Sequence, residues 1–185
     1  MRPPPTLFEG DDVQAAVARM AGEISADHPD GFVAIAVLKG SVLLLADLVR
    51  HLSVPVEVDF IAISHFAPDS GRVRIVKDVE IDIEGRDVVL VEDIVDTGLT
   101  LTYLVRHLQE QAPARVRVAT MLDRLRRRIV PVDIDYRGFD LDDEFVLGYG
   151  LDFAERYRNL RQIVAGDVRG LQDDPDLHVE SLYGS

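Results

Sequence analysis

Residues 88–100 read VVLVEDIVDTGLT. Val88 to Val91 form an apolar run with no polar alternation, which suits a strand covered on both faces, as strands of parallel sheets are. Glu92 and Asp93 follow at once, then Asp96, Thr97, Gly98 and Thr100. A helix is expected from about Leu99 to Gln111, with Leu101, Leu104, Val105 and Leu108 on one face. Dry strand, acidic pair, Thr/Gly turn and helix make half of a βαβ unit. A similar order appears upstream, where Phe32 to Leu38 (FVAIAVL) breaks at Lys39-Gly40-Ser41 and gives way to a helical Val42 to Leu52. Val116 to Leu122 is a third dry strand, closed by Asp123 and Arg124. Strands alternating with helices predict an α/β fold with a mostly parallel central sheet flanked by helices.

The remaining segments fit around that unit. Asp11 and Asp12 offer N-cap oxygens to an amphipathic helix carrying Val13, Ala16, Val17, Met20 and Ile24, and His28-Pro29-Asp30-Gly31 punctuates it. Val56 to Ile63 is a further strand. His65 to Gly71 carries turn residues and reads as a mobile loop continuing into a hairpin through Val73 to Lys77. Ile129 to Tyr136 and Phe145 to Leu147 are shorter strand candidates, and Arg126 to Arg128 read as a solvated surface turn. Residues 1–164 are expected to form one domain, and the polar, acidic residues 165–185 a loosely held tail.

Composition narrows the function classes. A chain of 185 residues suits a single domain able to bury its own core. The absence of cysteine removes disulfides, thiolate metal sites and a cysteine nucleophile. With 33 acidic against 20 basic residues the net charge is −13, which repels phosphate backbones and argues against nucleic-acid binding. No apolar run approaches the ~18 residues of a membrane helix, and MRPPPTLFEGDD lacks the apolar segment of a signal peptide, so no membrane partner and a cytoplasmic location are expected.

In parallel α/β sheets ligands bind beyond the C-terminal ends of the strands. Three such ends carry unusual residues: Lys39-Gly40, the 92–100 segment, and Asp123-Arg124. A turn that opens a helix presents free N–H groups to an anion, with Thr97 and Thr100 hydroxyls as further donors and Gly98 allowing close backbone approach. Carboxylates beside a phosphate cradle repel the ligand unless they take hydroxyls or a metal ion. The pattern therefore fits a phosphorylated sugar, with its phosphate on the turn, its ring hydroxyls on Glu92 and Asp93, and Mg²⁺ nearby. Asp96 as a mere N-cap would leave the acidic pair and Lys39-Gly40 unexplained. Asp96-Thr97-Gly98 matches the aspartic-protease triplet, but a single copy followed by a helix cannot build the shared-proton dyad. No Gly-Lys-Ser/Thr phosphate loop is present, and Gly148-Tyr149-Gly150 lacks the rest of a dinucleotide fingerprint.

VVLVEDIVDTGLT resembles the phosphoribosyl-pyrophosphate signature of the type I phosphoribosyltransferases. VLKGSVLLLADLVR (37–50), VEVDFIAIS (56–64), VRIVKDVEIDIEGRDV (73–88) and DDEFVLGYGLDFAERYRNL (142–160) narrow the resemblance to the hypoxanthine-guanine branch. The resemblance implies a type I fold with a small hood built from the N- and C-terminal segments. It also implies transfer of a phosphoribosyl group to a 6-oxopurine with Mg²⁺, in a homodimer or homotetramer. By the same resemblance Thr97, Gly98, Leu99 and Thr100 would hold the 5′-phosphate, and Glu92 and Asp93 the ribose hydroxyls and metal. Asp96 would accept the purine N7 proton. Lys39 and Gly40, preceded by a cis peptide, would contact pyrophosphate together with Arg158. Asp152 would be a metal ligand beside the purine site, Phe145 would stack on the purine, and the Val146 backbone would read its edge. Arg124 stands where the family has a Lys that donates to the 6-oxo group, and Ser64-His65-Phe66 stands where the lid has Ser-Tyr. Residue by residue, Phe145 also suits core packing, Asp152 a helix N-cap and Arg158 an exposed helix position. A phosphoribosyltransferase for another base such as xanthine, or a non-catalytic regulator on the same fold, are the alternatives.

Overall fold

Phe32–Leu38 (β2) and Asp87–Val95 (β5) lie side by side in the middle of a six-stranded sheet, and the apolar runs Phe32 to Leu38 and Val88 to Val91 follow from that place. Phe32, Ala34 and Ala36 of β2, with Val89 and Val91 of β5, enter a core shared with helices Gly10–Asp27 (α1) and Val42–His51 (α2). Val33, Ile35, Val37, Val88 and Leu90 point the other way and meet Leu101, Leu104 and Leu108 of Leu99–Gln109 (α3). From Phe32 to Val37 and from Val88 to Val91 successive side chains alternate between two cores, so no position in these runs is left for a polar residue. The computed structural model describes residues 3–65 and 73–184.

The sheet also contains Val56–His65 (β3), Val73–Lys77 (β4), Arg115–Asp123 (β6) and Tyr136–Asp140 (β7), in the order β4-β3-β2-β5-β6-β7. β3 and β4 form the expected antiparallel hairpin, and the other neighbours are parallel. The chain runs outward from β2 to β3 and β4, then returns on the other side of β2 as β5. The topological switch point thus falls between the C-terminal ends of β2 and β5, where Lys39-Gly40 and the 96–100 turn leave the sheet. Thr6–Phe8 (β1), Val146–Leu147 (β8) and Ile163–Ala165 (β9) make a second, antiparallel sheet in the order β1-β9-β8, which is the small hood. No described helix is long and apolar enough to cross a membrane.

Several local expectations are corrected. Glu9, not Asp11 or Asp12, is the N-cap residue of α1 and makes no side-chain cap bond. The two aspartates sit in the first turn, where their charge favours the helix dipole. Glu92 and Asp93 do not end their strand, since β5 continues to Val95 in register with β6 up to Val95–Asp123. Strand geometry is absent from 129–135 and begins only at Tyr136. The amides of Ile129 and Val130 instead both donate to Thr97 O, at 2.9 and 3.1 Å. The Arg126–Arg128 run is only partly solvated. Leu125–Arg127 is a 3-10 turn, and the Arg128 side chain is 11% exposed and ion-paired with Asp123.

The segment from Ala165 is packed rather than loose. It forms Val168–Asp173 (α4) and Val179–Tyr183 (α5), and Leu171 is fully buried with Leu147, Tyr157, Leu160 and Val164. Leu177, Val179 and Leu182 add to that cluster, enough apolar surface to hold an otherwise acidic stretch. The expected loop begins later than His65, which belongs to β3, and otherwise lies in 66–72, outside the described residues.

Candidate active site

At the switch point the backbone itself forms the site. The Leu38–Lys39 peptide is cis. A Cβ at Gly40 would lie 1.5 Å from Asp93 Oδ2, and a Cβ at Gly150, where φ is +95°, would lie 2.0 Å from Gly40 O. Three segments distant in sequence therefore touch at atoms that only glycine leaves free.

The 96–100 turn follows β5. Gly98 is the N-cap residue of α3 with φ +83°, and Thr97 Oγ1 accepts weakly from Leu99 N at 3.4 Å. The first amides of α3 have no intrahelical partner, which suits an anion. The expectation that Gly98 makes room for a phosphate is corrected. A Cβ there would meet Val130 O at 2.5 Å and Arg128 Cδ at 2.8 Å, so the glycine accommodates the loop packed against the turn. Arg128 braces that loop, its Nε donating to Asp96 O at 3.2 Å.

Asp96 Oδ2 accepts from Arg124 Nη1 at 3.3 Å and lies 3.6 Å from Arg127 Nη1, while Asp96 Oδ1 is buried with no hydrogen-bond partner. Arg124 is buried, its Nη2 donates to Glu144 O, and its Nε is also unpartnered. It thereby ties Asp96 to the 144–146 segment. Phe145 meets Phe153 edge-on at 6.0 Å, and Val146 pairs with Ala165 in the hood.

The fourth element is the 150–158 loop. No helix follows Asp152, which corrects the helical alternatives for Asp152 and Arg158. Ala154, Glu155 and Tyr157 all have positive φ (49°, 64° and 74°). Asp152 Oδ2 accepts from Glu155 N at 2.9 Å, and its Oδ1 is 2.9 Å from Arg158 Nη2. Arg158 Nη1 donates to Gly150 O at 2.7 Å. Lys39 Nζ reaches across to Glu155 Oε1 at 3.0 Å.

Two carboxyls stand apart electrostatically. Burial pushes Glu92 well above the usual carboxylate range, with the Asp93 charge adding to it. Burial likewise pushes Asp93 up to about 6. Among the described residues no three acidic or histidine side chains are grouped so as to hold a metal ion, so Glu92, Asp93 and Asp152 are not a ready-made cage. They still fit Mg²⁺. That ion commonly takes one or two carboxylates and completes its shell with water and substrate oxygens, and the Asp93 charge raises the cost of ionising Glu92, with Arg158 the cation that offsets burial at Asp93.

The chain matches the phosphoribosyl transferase domain model over residues 6–154. It is 40% identical over 161 residues to a hypoxanthine-guanine phosphoribosyltransferase of Bacillus subtilis, covering 85% of this chain and 89% of that one. A Mycobacterium avium protein of the same name is 42% identical over 176 residues, covering 90% and 87%. The crystal structure of a Bacillus anthracis hypoxanthine-guanine phosphoribosyltransferase superposes with a TM-score of 0.85 at 40% identity, covering 88% of this chain and 98% of that one. A sheet with this switch point, closed by an acidic Thr/Gly turn, defines a phosphoribosyltransferase. The chain belongs to that family, on its hypoxanthine-guanine branch.

The structure gathers Lys39, Gly40, Asp93, Asp96, Arg124, Asp152 and Arg158 on one rim, with Glu92 buried beneath it and Thr97, Gly98, Leu99 and Thr100 opening α3 beside it. Sequence reasoning missed Glu155, Arg128 and the Glu144 carbonyl. Glu155 and Arg128 sit among other charges, which reads as solvated surface, and a backbone acceptor such as Glu144 O has no side-chain signature.

Proposed function

We propose that this protein transfers the 5-phosphoribosyl group of phosphoribosyl pyrophosphate to hypoxanthine or guanine, giving IMP or GMP and pyrophosphate in purine salvage. The observation that carries the reading is the meeting of Gly40, Asp93 and Gly150 at the switch point. It sets the pyrophosphate-side, sugar-side and 150–158 segments on one rim, as a ligand with phosphates on both sides of a ribose requires. The amides of 97–100 and the hydroxyls of Thr97 and Thr100 receive the 5′-phosphate at the helix N-terminus. Glu92 and Asp93 accept from the ribose hydroxyls. Lys39, the Gly40 amide and Arg158 hold the leaving pyrophosphate, so positive charge lies where negative charge develops as the anomeric bond breaks. Mg²⁺ held near Glu92, Asp93 and Asp152 would neutralise pyrophosphate charge.

Asp96 takes the purine N7 proton while N9 bonds to the sugar, and its free Oδ1 is the lone pair available for that step. Arg124 donates to the 6-oxo group, Phe145 stacks on the ring, and the Val146 backbone meets its edge. The residues fixing base identity are thus carried by the strand end at β6 and the 144–146 segment. A homodimer or homotetramer is part of this proposal, supported by exposed Val58 and Val76 on adjacent strands. So is a cytoplasmic setting, because a polyanionic sugar phosphate does not cross a membrane unaided.

The test is a panel of hypoxanthine, guanine, xanthine and adenine with phosphoribosyl pyrophosphate and Mg²⁺, followed by nucleotide absorbance. Turnover of hypoxanthine or guanine is expected, and turnover of neither overturns the reading. Arg124 keeps xanthine in the panel, since Asp96 and Glu144 O each take one N–H of its terminal nitrogens and leave only the second N–H of each for a base, and a planar fork places its donors differently from an ammonium. Turnover of xanthine alone would move the assignment to that base.

A further inference from the structure

The two cations assigned to pyrophosphate share one partner. Lys39 Nζ is 3.0 Å from Glu155 Oε1, and Arg158 Nη2 is 3.2 Å from Glu155 Oε2. One carboxylate therefore bridges both, one cation on each oxygen, as two oxygens of a phosphate would. Its position is built rather than incidental. Asp152 Oδ2 fixes the Glu155 amide, and positive φ at Ala154 and Glu155 turns the chain so that Glu155 faces Lys39 across the rim. That backbone is held from outside the site by Arg156, ion-paired to Asp176, and by Tyr157 Oη, which donates to Pro175 O at 2.7 Å. Bonds from Lys39 and then Arg158 hold the Glu155 carboxyl below its usual range, so it is an anion at neutral pH. Without the Glu155 charge, Lys39 would lose this partner and Arg158 would keep Asp152 at 2.9 Å, so the pair would bind a polyanion more tightly, pyrophosphate product included.

We propose that Glu155 is an internal counter-anion that occupies the Lys39–Arg158 pair in the free enzyme and exchanges with the pyrophosphate group of substrate and product. It is a positioning residue that keeps the two cations aligned while weakening net affinity for pyrophosphate. This rests on the pyrophosphate role given to Lys39 and Arg158 above. The exchange is a competition of charges, and each exposed pair given up is weak because water screens it.

Glu155→Gln keeps the size of the side chain and removes its charge. Calorimetry with inorganic pyrophosphate and Mg²⁺ should show binding about 3- to 10-fold tighter than wild type. The KM for phosphoribosyl pyrophosphate should fall by a similar factor with the KM for the base unchanged. Glu155→Asp keeps the charge and should return both values toward wild type, which a merely structural role would not produce. Pyrophosphate affinity that is unchanged or weaker in Glu155→Gln, with wild type binding normally, overturns this inference and leaves the assigned reaction standing. Failure of the wild type to bind either pyrophosphate compound overturns the assigned reaction and this inference together.

Discussion

Gly40 and Asp93 are complementary by subtraction: the Asp93 carboxylate stands where a Gly40 side chain would have to be, 1.5 Å from the ideal Cβ position. The end of β2 approaches β5 this closely because one residue has no side chain and the other fills the gap. Gly40→Ala is expected to push the Asp93 carboxylate away from the rim and lower kcat/KM by about 100-fold or more, the scale of a displacement near 1 Å. Circular dichroism should remain that of a folded protein. An alanine variant with near-wild-type kinetics would show that the approach has no catalytic consequence.

Asp96 is poised between Arg124 and Arg127 with one oxygen still free. Asp96→Asn keeps the shape and loses the base. Steady-state kinetics should show kcat reduced by about 10²–10⁴-fold with both KM values changed little. A loss confined to KM would mean that Asp96 binds substrate without moving a proton.

The buried acidic pair sets a pH dependence. Asp93 is pushed to about 6 and Glu92 well above its usual value, both chiefly by burial. A carboxyl raised in the folded state stabilises fully below its unfolded pKa of about 3.9, and that contribution is lost as pH rises through the folded value. For Asp93 the loss falls between about pH 4 and pH 6. Asp93→Asn should therefore match wild type in urea unfolding near pH 4 and exceed it by up to about 3 kcal/mol at pH 8. Its thermal shift with Mg²⁺ and phosphoribosyl pyrophosphate should shrink. Equal stability at both pH values would refute the raised pKa.

Arg128 connects buried Asp123 to the carbonyl of Asp96. Arg128→Ala leaves Asp123 with Arg137 Nη1, 3.1 Å away, as its ion-pair partner. We expect destabilisation of about 2 kcal/mol, below the full cost of stranding a buried charge because that second partner remains. The KM for phosphoribosyl pyrophosphate should rise as the 96–100 turn loses its brace. Denaturant unfolding and kinetics on one preparation separate the two effects.

The sequence by itself determined the sheet and its active edge. Phe32 to Leu38 and Val88 to Val91 are apolar at every position, and only a strand between two cores asks for that. Acidic and Thr/Gly residues directly after such a strand have few uses besides ligand binding. Tertiary structure alone decided what those residues face. That Gly98 makes way for Val130 and that Arg128 is largely covered depend on the 125–132 loop packing back on the turn, and β5 extends through Glu92 and Asp93 because β6 pairs with it as far as Asp123. Ile129 looked like strand because β-branched residues favour extended backbone, yet its amide is taken by Thr97 O. Residues 165–185 looked unattached because their few apolar residues are far apart in sequence and converge only against Tyr157 and Leu147. Hydrophobic periodicity records how each segment meets its neighbours in the layer. Contacts between segments a hundred residues apart, such as Lys39 with Glu155, leave no local trace, because a surface charge pair costs each residue nothing in its own element.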